Sequence, residues 1–195
     1  MTLCFQDDED TITVYQAYSE QIASAAVEKQ RLSASPAFLP ARMTWIKPSW
    51  AWMMYRSGYS YKDKNQTRIL ALRLKHHDFH DILRQAVVTN HHGPLMGDEK
   101  LKSVRVQWDP ERDIRLGVLP YRSIQIGLKG EASEKLVDMI VGIEDVTMKA
   151  RALKKALEER EMSESELARL GLVPPESVYD TPEDLRRLLL MTEVQ

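Results

Sequence analysis

The chain reads as an α+β protein: mixed, mainly antiparallel sheets flanked by helices, followed by a C-terminal helical tail. Three observations predict this. Residues 11–18, 68–74, 104–108 and 121–128 are apolar or alternate over a strand's length, which is the period of two that strands impose. Stretches between and after them place apolar residues at helical spacing. The order is strand, helix, strand, helix, strand, helix, strand, strand, then helices only, which divides the chain into an α+β core over 1–162 and a helical appendage over 163–195.

The elements follow in order. Thr11–Tyr18 alternates β-branched and aromatic residues after an acidic turn and is predicted to be a strand. Ser19 then caps a helix over 20–32, whose stripe is Ile22, Ala23, Ala26 and Val27. Two prolines make 33–40 a loop. Met43 to Ile46 forms a short strand ended by Pro48, and Ser49 caps a helix through Arg56 that Gly58 closes. Residues 68–74, apolar on both faces, form a central strand. Phe79 to Val88 reads as a helix, and 90–100 as an exposed loop. Val104 to Trp108 forms a strand that Asp109-Pro110 turns, and Tyr121 to Leu128 pairs with it. Residues 133–141 and 146–161 read as helices around a weak point at Gly142, the second carrying i,i+4 pairs such as Lys154 with Glu158. Ser163 with Glu166 forms a capping box, Gly171 ends that helix, and a last helix starts near Thr181 after Pro174-Pro175.

Composition narrows the function. Of 195 residues, 43% are hydrophobic and 29% charged, which suffices for a buried core. No apolar run approaches a membrane span, and the acidic start is unlike a signal peptide, so the expectation is a cytoplasmic protein with no membrane partner. Cys4 is the only cysteine, which excludes an internal disulfide, and its acidic neighbours argue against a reactive thiol. The net charge is −2, but Lys and Arg outnumber acids nine to three over 42–84 and are outnumbered two to six over 1–41. A basic centre in an acidic chain suits a phosphate-bearing small molecule or a limited nucleic-acid contact. The sequence contains no GxxxxGK[ST], GxGxxG, HExxH, CxxC or GxSxG signature.

One segment stands out. Residues 42–61 hold three of the four tryptophans, three of the seven tyrosines, and Arg42, Lys47 and Arg56. Aromatic planes beside cations suit a flat anionic ligand. The tryptophans and methionines of the helix read as core, so the binding expectation rests on Arg42, Thr44, Lys47, Ser49 and Arg56, with Tyr55 beside them. The end of the first strand, Tyr15 and Gln16, leads into a second helix start that favours an anion. Glu111, four residues after Gln107, could orient a ribose hydroxyl or act as a general base, and Gln125 offers an amide to a ligand. His76 and His80 have the spacing of metal ligands, but with Lys75 adjacent and only Asp78 and Asp81 nearby they read as solvated, like His91-His92, and no metal is expected.

The blocks Thr13–Tyr18, Arg42–Ser49, Trp52–Ser57, Val104–Arg112 and Arg122–Leu128 resemble the domain of unknown function 4291 family. The chain departs from that pattern at Trp50-Ala51, inside the Pro-Ser-x-x-Trp block, and in lacking an arginine before the first strand. The order of elements is also similar to the ADP-ribosyltransferase layout, which implies a split sheet with NAD, the substrate, in the cleft between its halves. Carried over, that resemblance implies Tyr15 or Gln16 at the nicotinamide, Thr44 or Ser49 at the ribose, and Glu111 (or Gln125) as the late residue that steadies the reacting sugar. Here the spacing is Gln-x-x-x-Glu instead of the Gln-x-Glu of many such enzymes. The implied activity is transfer of ADP-ribose to a nucleic-acid or protein acceptor. The alternative is a non-enzymatic nucleotide or nucleic-acid module using segment 42–68, with Lys62, Lys64 and Arg68 extending the basic run.

Overall fold

Two small sheets, back to back at one junction, organise the chain. A computed structural model describes residues 4–5, 8–89 and 101–191. The first sheet has three antiparallel strands in the order β2 (Thr11–Tyr18), β4 (Arg68–Lys75), β8 (Ile140–Asp145). The second has four, in the order β3 (Thr44–Ile46), β7 (Val118–Leu128), β6 (Val104–Arg112), β5 (Ala86–Val88), all antiparallel except the parallel β5–β6 pair. A short pair, β1 (Cys4–Phe5) with β9 (Ser177–Val178), joins the two ends of the chain. The architecture is α+β with two mainly antiparallel open sheets, as the alternation predicts.

Among the described residues one isolated bridge joins the backbones of the two main sheets. The Tyr15 amide donates to the Lys47 carbonyl at 2.7 Å and the Lys47 amide donates to the Tyr15 carbonyl at 2.9 Å. The bridge lies within β2 and just before α2 (Trp50–Ser57), so both elements flank the junction of the sheets. The apolar faces of both sheets share the main core: Ile12, Val14, Leu70, Leu72 and Leu74 from one, Val106, Trp108, Ile124 and Ile126 from the other. Helices α1 (Glu20–Lys29), α3 (His76–Arg84) and α4 (Glu131–Met139) add residues to it. The opposite face of the first sheet, with Tyr15, Ile69 and Ala71, packs with α2 and α5 (Thr147–Glu159) in a second cluster. That is why β4 is apolar on both faces. The C-terminal segment reaches both clusters: Leu167 of α6 (Glu164–Arg169) enters the second, Tyr179 together with Leu185 of α7 (Glu183–Leu188) and the following Leu189 enters the first.

Three expectations are corrected. The third helix starts at His76 and ends at Arg84, and Ala86–Val88 is a strand; its apolar residues mark an edge position beside β6, not a last helical turn. Asp109-Pro110 does not turn β6, which continues to Arg112. Among the described residues Val104–Val106 alone pair with β5, so beyond them no described strand lies on that side of β6 and proline's missing N–H is tolerated, and the register slips between Pro110 and Arg112. Residues 140–145, where the sequence suggests the end of one helix and a break at Gly142, form β8. The Arg73 guanidinium lies over Gly142, 2.7 Å from where a Cβ would stand. The loop expected over 90–100 and His91-His92 lie outside the described residues.

Candidate functional site

The site grows from the polar stripe on one face of β6. A strand places alternate residues on one side, so Gln107, Asp109 and Glu111 line up while Val106 and Trp108 turn into the main core. Across the ladder Gln107 faces Gln125, and Asp109 faces Ser123. Gln125 Nε2 donates to Gln107 Oε1 at 2.8 Å. On the far side of β7, Trp45 pairs with Gly127, where a Cβ would come within 2.9 Å of the Trp45 ring. Gly127 therefore lets the indole lie across the sheet.

Helix α2 closes over the other end of the stripe. Ser49 is its N-cap, accepting from the Trp52 amide at 3.1 Å. The same hydroxyl donates to Glu111 Oε1 at 2.8 Å, and the Arg112 amide donates to that oxygen as well. Among the described residues Glu111 Oε2 has no hydrogen-bond partner, and the residue is 3% exposed. Lys47, fully buried, places its ammonium 3.8 Å from the Trp52 ring centroid and 3.7 Å from Asp109 Oδ2. Burial pulls the Lys47 amine down to about 8, against the opposing pull of Asp109 and Glu111. From the C-terminal segment, Glu176 Oε1 accepts from the Trp50 amide at 2.7 Å, at the positive end of α2. Desolvation of that carboxyl pushes it up to about 8, although much of Glu176 faces water, which screens the effect.

A groove opens beside this cluster. Its inner part, about 310 Å³, is lined by Gln16, Trp45, Trp52, Arg56, Gln107 and Gln125 among others. An outer part of about 730 Å³ shares Gln16, Trp45, Arg56 and Gln66 and adds Arg42 and Thr44. The Thr44 and Tyr18 hydroxyls lie 3.4 Å apart, and Arg56 donates to Gln66 Oε1 at 3.3 Å.

Of the residues expected from sequence, Gln16, Arg42, Thr44, Arg56, Gln107 and Gln125 meet in this groove. Lys47, Ser49 and Glu111 also meet, but beneath Trp52 and out of water. The remaining two lie elsewhere. Tyr15 packs edge-on against Trp50 and faces a cavity of about 380 Å³ on the opposite side of the first sheet, with Arg73, Glu144 and Lys149. Tyr55 is 40% exposed under the Arg112 guanidinium, 3.9 Å from its ring. Sequence reading missed Asp109, because its Asp-Pro step was taken as a turn; continuing the period of two from Gln107 to Glu111 would have found it. Trp52 is buried, as its core assignment implies, and one part of it also walls the groove. Nothing local marks Glu176. His76 and His80 are not simply solvated, because both contact the Tyr179 hydroxyl.

These features define a class: an α+β protein of two small sheets meeting at one bridge, with an aromatic and cationic groove at the split. Among the described residues no helix is long and apolar enough to cross a membrane. The family model for the Domain of unknown function (DUF4291) matches residues 3–179, and the chain belongs to that family. No curated protein matches the chain.

Proposed function

We propose that the groove binds a nucleotide of the NAD type and that the chain is an ADP-ribosyltransferase-like enzyme. One observation carries this reading: Gln16, Thr44, Arg56, Gln107 and Gln125, from four separate elements and one loop-bounded helix end, share a groove at the split between the sheets. The guanidinium groups of Arg42 and Arg56 suit a diphosphate. Trp45 and Trp52 supply apolar planes for a base or nicotinamide ring. The Gln107–Gln125 amide pair keeps donor and acceptor capacity for ribose hydroxyls.

Under this reading the geometry favours one choice among the alternatives left by the resemblance. Gln16 opens on the groove and Tyr15 does not, so Gln16 takes the first position. Thr44 reaches the groove, whereas Ser49 is committed to Trp52 and Glu111. Gln125 takes the late position, bonded to Gln107, while Glu111 holds Ser49 beneath Trp52. In the proposed reaction the acceptor nucleophile bonds to the ribose C1′, the bond to nicotinamide breaks with its electrons, and the acceptor's proton leaves to solvent. An amide at the late position orients the sugar but adds no negative charge to an oxocarbenium-like centre, so a slow transfer is expected.

That lack of charge also favours a second reading, a nucleotide-binding module without catalysis, since the inner groove is lined by no carboxylate. Titration with NAD, read by thermal shift and tryptophan fluorescence and paired with assay of free nicotinamide, separates the two. Binding with nicotinamide release supports the enzyme; binding of NAD and ATP alike without release supports the module. Absence of any response at millimolar nucleotide rejects both. A steep fall in affinity with salt toward an oligonucleotide would point to a nucleic-acid ligand instead.

A further inference from the structure

Far from the groove, three side chains from two distant segments converge on one point. His76 and His80 lie four residues apart on the first turns of α3, on one face of the helix. Tyr179, from the C-terminal segment, places its hydroxyl 2.9 Å from His76 Nδ1 and 3.0 Å from His80 Nε2. The other ring nitrogen of His76 lies 2.9 Å from the main-chain carbonyl of Asp8. A carbonyl only accepts, so His76 Nε2 carries the hydrogen and its Nδ1 presents a lone pair toward Tyr179. The phenol then donates to His76 and accepts from His80 Nε2. Stacking of the His76 ring on Tyr179, with centroids 5.6 Å apart, and the buried position of Tyr179 hold the arrangement.

We propose that His76, His80 and Tyr179 form a binding site for a divalent first-row transition-metal ion. Paired histidines four apart on a helix are a recurrent metal chelate. The second bond of His76, an N–H to a main-chain carbonyl, is the contact that fixes the tautomer of a metal-ligating imidazole. A ring nitrogen and an oxygen each about 2.1 Å from an ion lie about 3.0 Å apart at a right angle and about 3.4 Å apart in a tetrahedron, so a shift of a few tenths of an ångström from the present hydrogen-bonded separations would seat an ion. Two nitrogens and one oxygen suit zinc, cobalt or copper better than calcium or magnesium. Loading the ion displaces the phenol proton to solvent, and the His80 proton moves from Nε2 to Nδ1, so that two imidazole lone pairs and a phenolate face the metal. No group of three His, Cys, Asp or Glu side chains able to hold a metal occurs among the described residues; the third ligand here is the phenol. Such an ion would tie the C-terminal segment to α3. The charged groups around it are Asp81 and Arg84 on α3 and Asp184 on α7, with Arg84 bonded to both carboxylates.

The test is titration of the full chain with cobalt(II), read by visible absorption and displaced by zinc(II), with a variant lacking the other histidine pair (His91→Ala/His92→Ala) as control. The expected result is one equivalent bound in both proteins, with a rise in melting temperature. His80→Ala should weaken binding at least tenfold, and Tyr179→Phe, which keeps the ring and its packing, should do so while circular dichroism stays native. No uptake overturns the proposal. So does uptake that His80→Ala and Tyr179→Phe leave unchanged, or uptake that disappears in the His91→Ala/His92→Ala control.

Discussion

Gln107 and Glu111 stand four residues apart on the same face of β6, yet they live in different solvents. Gln107 shares a groove with Arg56, Trp52 and Gln125; Glu111 is sealed under α2 with Ser49 and Lys47 close by. The water-facing half of the stripe carries amides, which bind ligands without a desolvation cost tied to charge. The buried half carries charges held together by mutual pairing. Trp52 is the partition, with the groove on one side and the Lys47 ammonium on the other. The buried half therefore governs stability and the shape of the wall, and under the proposed function the open half governs affinity.

That division can be broken experimentally. Asp109→Ala leaves the Lys47 ammonium buried without its nearest carboxylate, and should cost about 3–5 kcal/mol, measured by urea denaturation at neutral pH. A loss below about 1 kcal/mol would show that Glu111 alone balances Lys47. The pH dependence of stability tests the same charge. Because the folded Lys47 amine is pulled down to about 8 from 10.5, the folded chain binds fewer protons than the unfolded one between these values. Its contribution to stability therefore rises with pH across that window and is flat below it. Lys47→Met should abolish this rise, as followed by denaturation at a series of pH values. Ser49→Ala removes the α2 cap and the Glu111 bond together, for about 1–2 kcal/mol. Gln125→Ala, at the open end, should change stability by less than about 0.5 kcal/mol while weakening nucleotide binding; a large loss of stability there would erase the distinction between the halves.

How legible all this was depends on range. The strands 11–18 and 121–128, the central position of β4, the Ser49 cap with Gly58 at φ 55° and the Ser163–Glu166 box were readable because each depends on neighbours within a few residues. The segment 140–145 is not legible as a strand because Gly142 between two helical patterns looks like a break, and its pairing partner β4 lies far away in the sequence. Within the site, the basic residues of 42–56 were found by density, but which of them face water was not. Lys47 and Arg56 look alike in sequence; one is fully buried and the other lines the groove.

By itself the sequence determined the α+β class, most elements and the pool of residues from which the site is drawn, since period, capping and turn chemistry act over a few residues. Only the tertiary structure decided how that pool divides. The Tyr15–Lys47 bridge joins the two sheets beside the groove, Trp52 separates the buried charges from it, and Glu176 and Tyr179 arrive from far along the chain. Pairing between distant strands and burial of one polar group against another carry no local signature, because their free energy belongs to contacts that exist only once the chain has folded.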